Sequence, residues 1–298
     1  MQIPVDRAHS NILEVFASRT RVAMIELLAA NPMNIGELAA ALKLSSAIVT
    51  RHIHQMQAAG LVTCEAQPGR RGTQKICSLA VELLTLQLRP QPRVQNAYFH
   101  EIPVGQYSAC QVTPTCGLAS ATGLIGMNDD PRYFADPAHI GASLLWFGSG
   151  WVEYRIPNFL LGGQIARSLE ISLELCSEAP IFAEHHPSDI GFRINGQLLG
   201  IWTSPGDFGS KKGLLTPDWW QGGSQYGILK TIRVDESGSH IDGVRVSDIT
   251  ITELQIVYGG EIAFRVEVDE QARHRGGVNL FGRHFGNYGQ DIRVTLGY

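Results

Sequence analysis

Long apolar runs are missing from this sequence. No stretch of 18 consecutive apolar residues occurs, and the first 20 residues contain Asp6, Arg7, Glu14 and Arg19 where a signal peptide would be apolar. The chain therefore lacks the pattern of a signal peptide and of a membrane-spanning helix, and we expect a cytoplasmic protein without a membrane partner. Cysteine is also scarce, at five residues, and in the cytoplasm we expect these thiols to be mostly reduced.

Charged residues are few, at 17%, whereas hydrophobic residues make up 44% of the 298 residues. This balance excludes a disordered chain and allows a sizeable core in one or two domains. The net charge of −4 is unevenly distributed. Residues 1–90 hold nine Lys and Arg against six Asp and Glu, and the remainder holds 15 against 22. A basic N-terminal part and an acidic C-terminal part are typical of a chain in which only the N-terminal part binds a polyanion.

The first 60 residues have helical periodicity. Apolar residues in "NILEVFASRTRVAMIELLAAN" recur at spacings of three and four. Asn34, followed by Glu37, predicts the start of a helix over "IGELAAALKL", and Ser45 predicts the N-cap of the next helix, which ends at Gly60.

Residues 61–79 predict a two-stranded hairpin with "PGRRG" at its tip, and residues 79–88 predict a last helix. Helices followed by a hairpin are the order of a winged helix-turn-helix.

The helix after Ser45 predicts a DNA-reading surface. Val49, Ile53 and Met56 recur at i, i+4 and i+7 and are expected to pack on the other helices. The residues expected in the major groove share the opposite face: Ser46, Ala47, Thr50, Arg51 and His54. The hairpin adds basic residues expected to lie against phosphates: Arg70, Arg71 and Lys75. The alternative is a helical bundle with a solvated polar face, but caps, turn and basic hairpin together favour DNA.

The stretch "SRTRVAMIELLAANPMNIGELAAALKLSSAIVTRHIHQMQAAGLV" resembles the ArsR-type winged-helix transcriptional regulators, over about residues 10–80. The resemblance implies a homodimer that reads a two-fold operator in double-stranded DNA, with the first and last helices pairing the subunits. Metal-sensing members place cysteines just after a Glu-Leu pair. Here Glu37-Leu38 is followed by Ala39, Ala40 and Ala41, so the thiolate ligands are absent, and we expect no metal site of that type and no cofactor.

Beyond residue 97 apolar residues alternate, as in "LEISLEL", "EIAFRVEV" and "DIRVTLGY", and turn clusters such as "SPGDFGSKKG" separate the runs. This period of two predicts an antiparallel β-sandwich or jelly roll. The prolines of "RPQPR" cannot continue a helix. We therefore predict an α+β protein of two domains, with a winged helix-turn-helix at residues 1–90, a linker at 91–97 and an effector-binding sandwich at 98–298.

The segments "LEISLELCSEAP", "INGQLLGIWTSPGDFG" and "GGVNLFGRHFGNYGQDI" resemble the C-terminal sandwich of a group of bacterial ArsR-like regulators, a domain similar to galactose-binding-like jelly rolls. The resemblance covers nearly all of residues 97–298. It implies a fold rather than a ligand, because such sandwiches host many functions.

Aromatic and polar side chains occur together in residues 176–230. This mixture suits a sugar, whose apolar ring face stacks on an aromatic ring while its hydroxyls need paired donors and acceptors. The candidate effector-binding residues are Glu178, Asp189, Trp202, Asp207, Trp219, Trp220, Tyr226, Lys230 and Asn279. Each has a structural alternative, since Trp202 in "LLGIWT" also suits a core and a lone loop carboxylate is often only solvated. The sequence thus predicts a small effector, with a carbohydrate as first choice.

Three other functions stay open on the sequence. The sandwich could be only a dimerisation module. It could be a glycosidase with Glu178 and Asp207 as paired carboxylates, although nothing in the sequence fixes their separation, and we assign no catalytic residue. Finally, Cys64 and Cys77 lie opposite each other in a hairpin that is symmetric about its two arginines, so they could form a redox pair near DNA. The remaining cysteines are expected to pack between strands.

Overall fold

The computed structural model of the protein describes residues 1–69, 72–81, 84–88 and 96–298. The chain forms two compact units, Met1–Pro92 and Arg93–Tyr298. Each unit has its own hydrophobic core. The predicted α+β class is confirmed, because helices precede a large antiparallel β-rich region.

The N-terminal unit combines helices with a small sheet. Its helices are α1 (Ser10–Phe16), α2 (Arg19–Ala30), α3 (Ile35–Leu42) and α4 (Ser46–Ala58), after a 3-10 turn at Arg7–His9. Its strands are β1 (Gln2–Pro4), β2 (Met33–Asn34), β3 (Val62–Gly69), β4 (Gly72–Leu79) and β5 (Thr85–Gln87). Strands β3 and β4 form an antiparallel hairpin, and β2 pairs with the other side of β4. This is the predicted winged helix-turn-helix, with the β3–β4 hairpin as the wing.

Local sequence explains where α3 and α4 begin. The amide of Glu37 donates to Asn34 Oδ1 at 2.9 Å, and the amide of Asn34 donates to Glu37 Oε2 at 2.8 Å, so the capping box is confirmed. Helix α3 ends at Leu42, and the next residue, Lys43, has a φ of 55° in the left-handed region that closes helices. Ser45 then accepts a hydrogen bond from the amide of Ile48 at 3.4 Å and caps α4, as predicted.

One face of α4 forms part of the N-terminal core. Val49, Ile53 and Met56 are fully buried, in the same cluster as Met24 of α2 and Leu38 of α3. Burial of each such side chain contributes about 1.5–3 kcal/mol. The predicted packing face of α4 is confirmed, and its other face is left for another partner.

The helix predicted over residues 79–88 is wrong. Leu79 is the last residue of β4, and Thr85–Gln87 form strand β5, which pairs in parallel with β1. In this pair Ile3 stands opposite Leu86, and Ile3 is buried in the N-terminal core. Short apolar runs fit a helix and a strand equally well, and here pairing with the N-terminal strand decides the outcome. The described residues therefore hold no last helix that could pair two subunits.

The C-terminal unit is built from strands. They are β6 (Ala97–Ile102), β7 (Ala109–Ala119), β8 (Leu124–Ile125), β9 (Leu144–Ile156), β10 (Ser168–Cys176), β11 (Ser188–Ile194), β12 (Gln197–Ser204), β13 (Ile228–Asp235), β14 (Gly238–Ile241), β15 (Val244–Ser247), β16 (Ile262–Val268), β17 (Val278–Phe281) and β18 (Ile292–Gly297). Short 3-10 turns lie at Pro131–Ala135 and Pro137–Gly141. No helix in the described part of the chain is both long and apolar enough to cross a membrane.

Antiparallel pairing connects these strands in the order β12-β11-β16-β9-β17-β10-β13-β14-β15. Strand β18 pairs with β10 and β6, and β7 pairs with β9 and β8. Most apolar side chains of these strands meet in one large core, as in a sandwich, and a second, smaller cluster contains Trp146, Phe281 and Phe285. Strand β16 alternates as predicted, with buried Ile262, Phe264, Val266 and Val268 separated by half-buried residues.

Strand β10 departs from simple alternation at its end. Glu174, Leu175 and Cys176 are all buried, and β10 pairs here with β17. Glu174 accepts hydrogen bonds from the amides of Gly227, Asn287 and Tyr288. Burial nevertheless raises the pKa of Glu174 to about 7. The polar end of β10 is the edge of the sandwich where the candidate site lies.

Candidate DNA-reading surface and effector cavity

The face of α4 opposite the core is open to solvent. Ser46, Ala47, Arg51 and His54 are exposed, and Thr50 is half-buried. The hydroxyl of Thr50 donates to the carbonyl of Ser46 at 2.8 Å, which leaves its oxygen able to accept from a donor outside the helix. The five predicted groove residues thus lie on one exposed side of a helix whose other side is fixed in the core.

Ile48 is a groove candidate that the sequence analysis did not name. Its side chain is 46% exposed, whereas its neighbour Val49 is fully buried. An exposed apolar side chain on a reading helix suits the methyl group of thymine. The sequence offered no clear signal for this, because adjacent residues of a helix lie about 100° apart and both can face a core.

The wing lies next to the end of α4. Lys75 of β4 is half-buried, and its Nζ donates to Gln57 Oε1 of α4 at 3.0 Å. The positive charge of Lys75 therefore lies at the junction of helix and wing. Arg70 and Arg71, the predicted backbone contacts at the tip, lie outside the described residues.

Two cysteines face each other within the wing. Cys64 of β3 and Cys77 of β4 are paired residues in the antiparallel register, as predicted, and their Sγ atoms are 2.7 Å apart. Cys64 is half-buried and Cys77 is fully buried. Burial, together with the hydrogen bond from Cys64, raises the pKa of the Cys77 thiol to about 12.

A cavity of about 330 Å³ opens at the end of β10 in the C-terminal unit. Its walls come from strands β7, β9 and β17 and from loops that follow β8 and β10 or precede β13. The lining residues are Thr115, Asn128, Asp129, Trp146, Glu178, Ala179, Pro180, Ile181, Trp220, Gly222, Gly223, Ser224 and Asn279. We call this space the aromatic cavity, because two tryptophans line it.

A second cavity of about 260 Å³ shares Thr115 and Glu178 with the first. Its lining residues are Thr113, Pro114, Thr115, Gly148, Ser149, Glu178, Arg275, Gly276 and Gly277. We call it the polar cavity, because it has hydroxyls, backbone and a guanidinium but no aromatic ring. Glu178 thus stands at the boundary of two adjoining spaces.

Hydrogen bonds hold the carboxyl group of Glu178 in place. Thr115 Oγ1 donates to Oε1 at 3.1 Å, and Asn279 Nδ2 donates to Oε2 at 2.8 Å. Burial, together with the nearby charge of Asp207, raises the pKa of Glu178 to about 8, although the two hydrogen bonds act in the opposite direction. At neutral pH Glu178 is therefore mostly an uncharged acid with one O–H to donate.

The aromatic wall is rigid. The indole N–H of Trp220 donates to the carbonyl of Ser224 at 3.0 Å, and its ring lies edge-on to Trp146 with centroids 5.6 Å apart. Trp219 packs behind it, also at 5.6 Å, and donates to the carbonyl of Ala121 at 2.8 Å. Phe285 closes the cluster at 5.7 Å from Trp220. Because the indole N–H groups of Trp219 and Trp220 are both satisfied by protein carbonyls, Trp220 presents its ring to the cavity in a fixed orientation.

Ile181 at the mouth of the aromatic cavity has an unusual backbone. Its φ is 71°, a conformation that a β-branched residue adopts only at a cost of about 1–3 kcal/mol. Its side chain is 72% exposed, so core packing does not offset this cost. Strained residues of this kind concentrate at ligand sites, where the surrounding structure imposes them.

The comparisons with known proteins concern the helix-turn-helix. Residues 18–63, from the start of α2 into β3, match the model of "Bacterial regulatory protein, arsR family". This segment is an ArsR-family DNA-binding domain. Its presence makes the protein a DNA-binding transcriptional regulator.

Among solved structures the chain is similar to HlyU from Vibrio cholerae N16961, with 24% identity over 25% of this chain and 78% of that one, at a TM-score of 0.22. It is also similar to an ArsR family transcriptional regulator, with 26% identity over 24% of this chain and 76% of that one, at a TM-score of 0.22. No curated protein matches the chain. The ArsR-family assignment thus covers the N-terminal helices, and the sandwich has to be interpreted from its own geometry.

In the ArsR-family domain, Ala39, Ala40 and Ala41 lie within α3, and they carry no ligand atoms. Across the ranges that the structure describes, no group of three or more His, Cys, Asp or Glu side chains is placed to hold a metal ion.

The structure brings three of the nine predicted effector residues to the aromatic cavity: Glu178, Trp220 and Asn279. Trp219 supports them from behind. Trp146, which the sequence analysis did not single out, joins them because β9 pairs with β17 and places Trp146 opposite Asn279.

The other predicted effector residues line neither cavity. Lys230 lies over the ring of Trp202, at 4.6 Å from its centroid, and pairs with Asp242. Asp189 accepts hydrogen bonds from Thr203 and from the amide of His274. Tyr226 stacks on Phe208 with centroids 5.3 Å apart. These contacts give all four predicted residues structural partners.

Asp207 supports the site from within the protein. It is fully buried, and its Oδ2 accepts from the amide of Ala179 at 3.0 Å, next to Glu178. Burial raises the pKa of Asp207 to about 6. Because Asp207 lines neither cavity, Glu178 and Asp207 are not two carboxylates facing a common cleft, as a glycosidase of the predicted type requires.

Proposed function

We propose that the sandwich of this regulator binds a small carbohydrate effector in the aromatic cavity and that binding changes the affinity of the ArsR-family domain for its operator. The observation that carries the proposal is the convergence of Trp146 and Trp220 with Glu178 and Asn279 on one cavity. A volume of about 330 Å³ lies in the range of small-molecule sites.

The two walls of the cavity match the two faces of a sugar. The ring of Trp220 offers an apolar surface for the C–H face of a pyranose, and its orientation is already fixed by Ser224 and Phe285. A surface that is ordered before binding loses little conformational entropy when the ligand arrives.

The polar wall offers both donors and acceptors. Protonated Glu178 donates through its O–H, whereas the carboxylate of Asp129 accepts. Asp129 is held in place because its Oδ1 accepts from the amide of Cys116 at 3.0 Å. A sugar hydroxyl both donates and accepts, so a mixed wall of this kind favours hydroxyls over purely anionic or purely cationic groups.

For the DNA side, we propose that α4 lies in the major groove. Ser46, Ala47, Thr50, Arg51 and His54 then face base edges and phosphates, and Lys75 with Arg70 and Arg71 contacts the flanking backbone. A homodimer on a two-fold operator is part of this proposal. Sedimentation equilibrium of the full chain tests it, since a monomer at micromolar concentration contradicts it.

In this proposal, binding of the effector and binding of the operator are thermodynamically linked. A sugar changes DNA affinity only by its difference in affinity between the operator-bound and free conformations, typically 1–3 kcal/mol. A coupling of this size corresponds to about a 5–150-fold change in operator binding.

Binding and coupling are measured separately on the full chain. All five tryptophans lie in the C-terminal unit, so thermal unfolding followed by tryptophan fluorescence reports on the sandwich. We expect one or more members of a panel of pentoses, hexoses and disaccharides to raise the unfolding temperature and to alter operator affinity in a band-shift assay.

Trp220→Ala removes the stacking surface and should abolish the sugar response. Trp202→Ala is the matched control, because Trp202 is also a half-buried tryptophan of the sandwich but lines neither cavity. The carbohydrate proposal fails if no sugar shifts either quantity in the wild type, or if both variants respond like the wild type.

A further inference from the structure

The polar cavity adjoins the proposed sugar site but differs from it in chemistry. Its polar side chains are Thr113, Thr115, Ser149, Arg275 and the carboxyl group of Glu178, and the rest of its wall is Pro114 and three glycines. Hydroxyls, backbone amides and a guanidinium are groups that bind oxyanions.

Arg275 differs from most arginines of the sandwich in having no acidic partner. Arg155, Arg193, Arg233, Arg265 and Arg283 each form an ion pair with Asp or Glu. Arg275 is exposed and makes no hydrogen bond or ion pair within the described ranges of the chain. Its five N–H donors are therefore available to a ligand in the polar cavity.

The loop that carries Arg275 is fixed against Glu178. The amide of Glu178 donates to the carbonyl of Gly276 at 2.7 Å. Gly277 has a φ of +62°, and a Cβ at this position would lie 2.7 Å from Cβ of Glu178. Glycine is thus required at position 277 for the backbone to come this close to Glu178. This contact holds the loop that carries Arg275 at the wall of the cavity.

The geometry points to a subsite in the polar cavity for the anionic group of the effector, so that the effector is an acidic saccharide whose ring lies against Trp220 and whose carboxylate or phosphate binds Arg275. This inference rests on the proposed function, because it places the sugar ring in the aromatic cavity. It extends that function by naming the charge of the ligand and the residue that selects it.

The hydroxyls of the polar cavity complete the subsite. Thr113 Oγ1 and Ser149 Oγ lie 2.6 Å apart, and Thr113 Oγ1 also lies 3.2 Å from the carbonyl of Ser149. When Thr113 donates to that carbonyl or to Ser149 Oγ, the O–H of Ser149 remains available to the anion. Glu178 does not oppose the anion at neutral pH, because it is mostly uncharged there.

Isothermal titration calorimetry of the full chain tests the subsite with matched ligands: glucose, glucuronate and glucose 6-phosphate, and the same comparison for galactose and its acids. A charge-assisted bond to Arg275 should make an acidic sugar bind roughly 10- to 100-fold more tightly than its neutral parent. In Arg275→Gln this advantage should fall to less than about threefold, with the neutral sugar unaffected. Arg273→Gln is the control, because Arg273 is an exposed arginine of the same loop that lines neither cavity.

The outcomes separate the two proposals. If neutral and acidic sugars bind equally well, or if the preference for acids survives in Arg275→Gln, the anion subsite is overturned while the carbohydrate proposal stands. If no sugar of either kind binds, both are overturned. If Arg273→Gln loses the preference and Arg275→Gln keeps it, the assignment to the polar cavity is overturned.

Discussion

Asn279 Nδ2 donates to Glu178 Oε2 at 2.8 Å, and the same nitrogen donates to the carbonyl of Ser177 at 2.7 Å. The amide side chain of Asn279 thus joins β17 to the turn after β10 and fixes the direction of the Glu178 carboxyl group. Because Glu178 borders both cavities, the protonation of this one group affects any ligand that spans them.

Glu178 should make the sandwich less stable as pH rises. Its pKa is about 8 in the folded protein against 4.5 for an unperturbed glutamate. The folded state therefore binds more protons between these values, and its stability falls as pH increases from about 4.5 through about 8. Asp207 and the cavity-facing Asp129 are the acidic groups that act on Glu178. The raised pKa values of Asp207 and of Glu174 lower stability in the same direction, but their effects end at lower pH.

Glu178→Gln removes this contribution while keeping the shape of the side chain. Urea unfolding of wild type and variant, followed by tryptophan fluorescence at pH 5, 7 and 8.5, should show a smaller decline of stability in Glu178→Gln. The largest difference in slope between wild type and variant should lie between pH 5 and 7, where Glu178 is protonated in the folded protein and mostly ionised in the unfolded chain. Parallel declines across that interval would contradict the assignment.

Replacing Ile181 by a residue that tolerates its backbone conformation should increase the stability of the sandwich and weaken sugar binding. Asn tolerates a φ of 71° far better than Ile, so Ile181→Asn should stabilise the sandwich by about 1 kcal/mol. The same change removes an apolar group from the cavity mouth and should weaken sugar binding.

The control for this prediction is Ile165→Asn. Ile165 is 73% exposed, like Ile181, but its backbone is not in the left-handed region and it lines neither cavity. It should gain no stability and leave binding unchanged. Thermal unfolding with calorimetry of the sugar measures both effects, and an Ile181→Asn variant that binds as well as wild type would show that the strain serves no ligand.

The position and the buried face of α4 were predictable because each step depends on neighbours in sequence. Asn34 and Ser45 mark helix starts, and the spacing of Val49, Ile53 and Met56 fixes the buried side of α4. The prediction for residues 85–87 was wrong because they form a strand with Gln2–Pro4, which lies more than 80 positions away in the sequence. The spacing of apolar residues within one segment cannot show that it pairs with a strand so far away in the sequence.

The lining of the aromatic cavity was predictable only in part for the same reason. Glu178 and Trp220 could be nominated from a local mixture of aromatic and acidic residues. Trp146 could not, since its surroundings in β9 are those of a core strand and only its pairing with β17 brings it beside Asn279. The polar cavity depends further on the approach of Gly277 to Glu178, which no pattern of single residues specifies.

Arg51 should determine sequence preference on DNA. It is exposed on the solvent side of α4, one position after Thr50, and a bidentate contact to guanine is the strongest contact it offers there. Arg51→Ala should cost about 1–3 kcal/mol of operator binding and relax preference at one base pair.

The test uses fluorescence anisotropy with duplexes selected by the wild-type protein and with single-base variants of them. Arg7→Ala is the control, because Arg7 is an exposed arginine of the same unit that lies outside α4. A uniform loss on all duplexes in Arg51→Ala would assign the residue to phosphate contact, and no loss would show that the other face of the unit meets DNA.

The wing cysteines should be the first thiols to be cross-linked by oxidant. Cys64 and Cys77 are directly paired across two strands, and Cys64 is accessible whereas burial raises the pKa of Cys110 and Cys116 and makes them less reactive. In hydrogen peroxide the two thiols give up two electrons and two protons to form one disulfide, and the peroxide is reduced to two molecules of water.

Peptide mapping by mass spectrometry should find the Cys64–Cys77 link before any change at Cys110, Cys116 or Cys176, and Cys64→Ser should yield no link. Operator binding measured before and after oxidation then decides whether the bond controls the regulator: a change in the wild type that Cys64→Ser lacks supports the redox alternative, and equal binding in both states removes it.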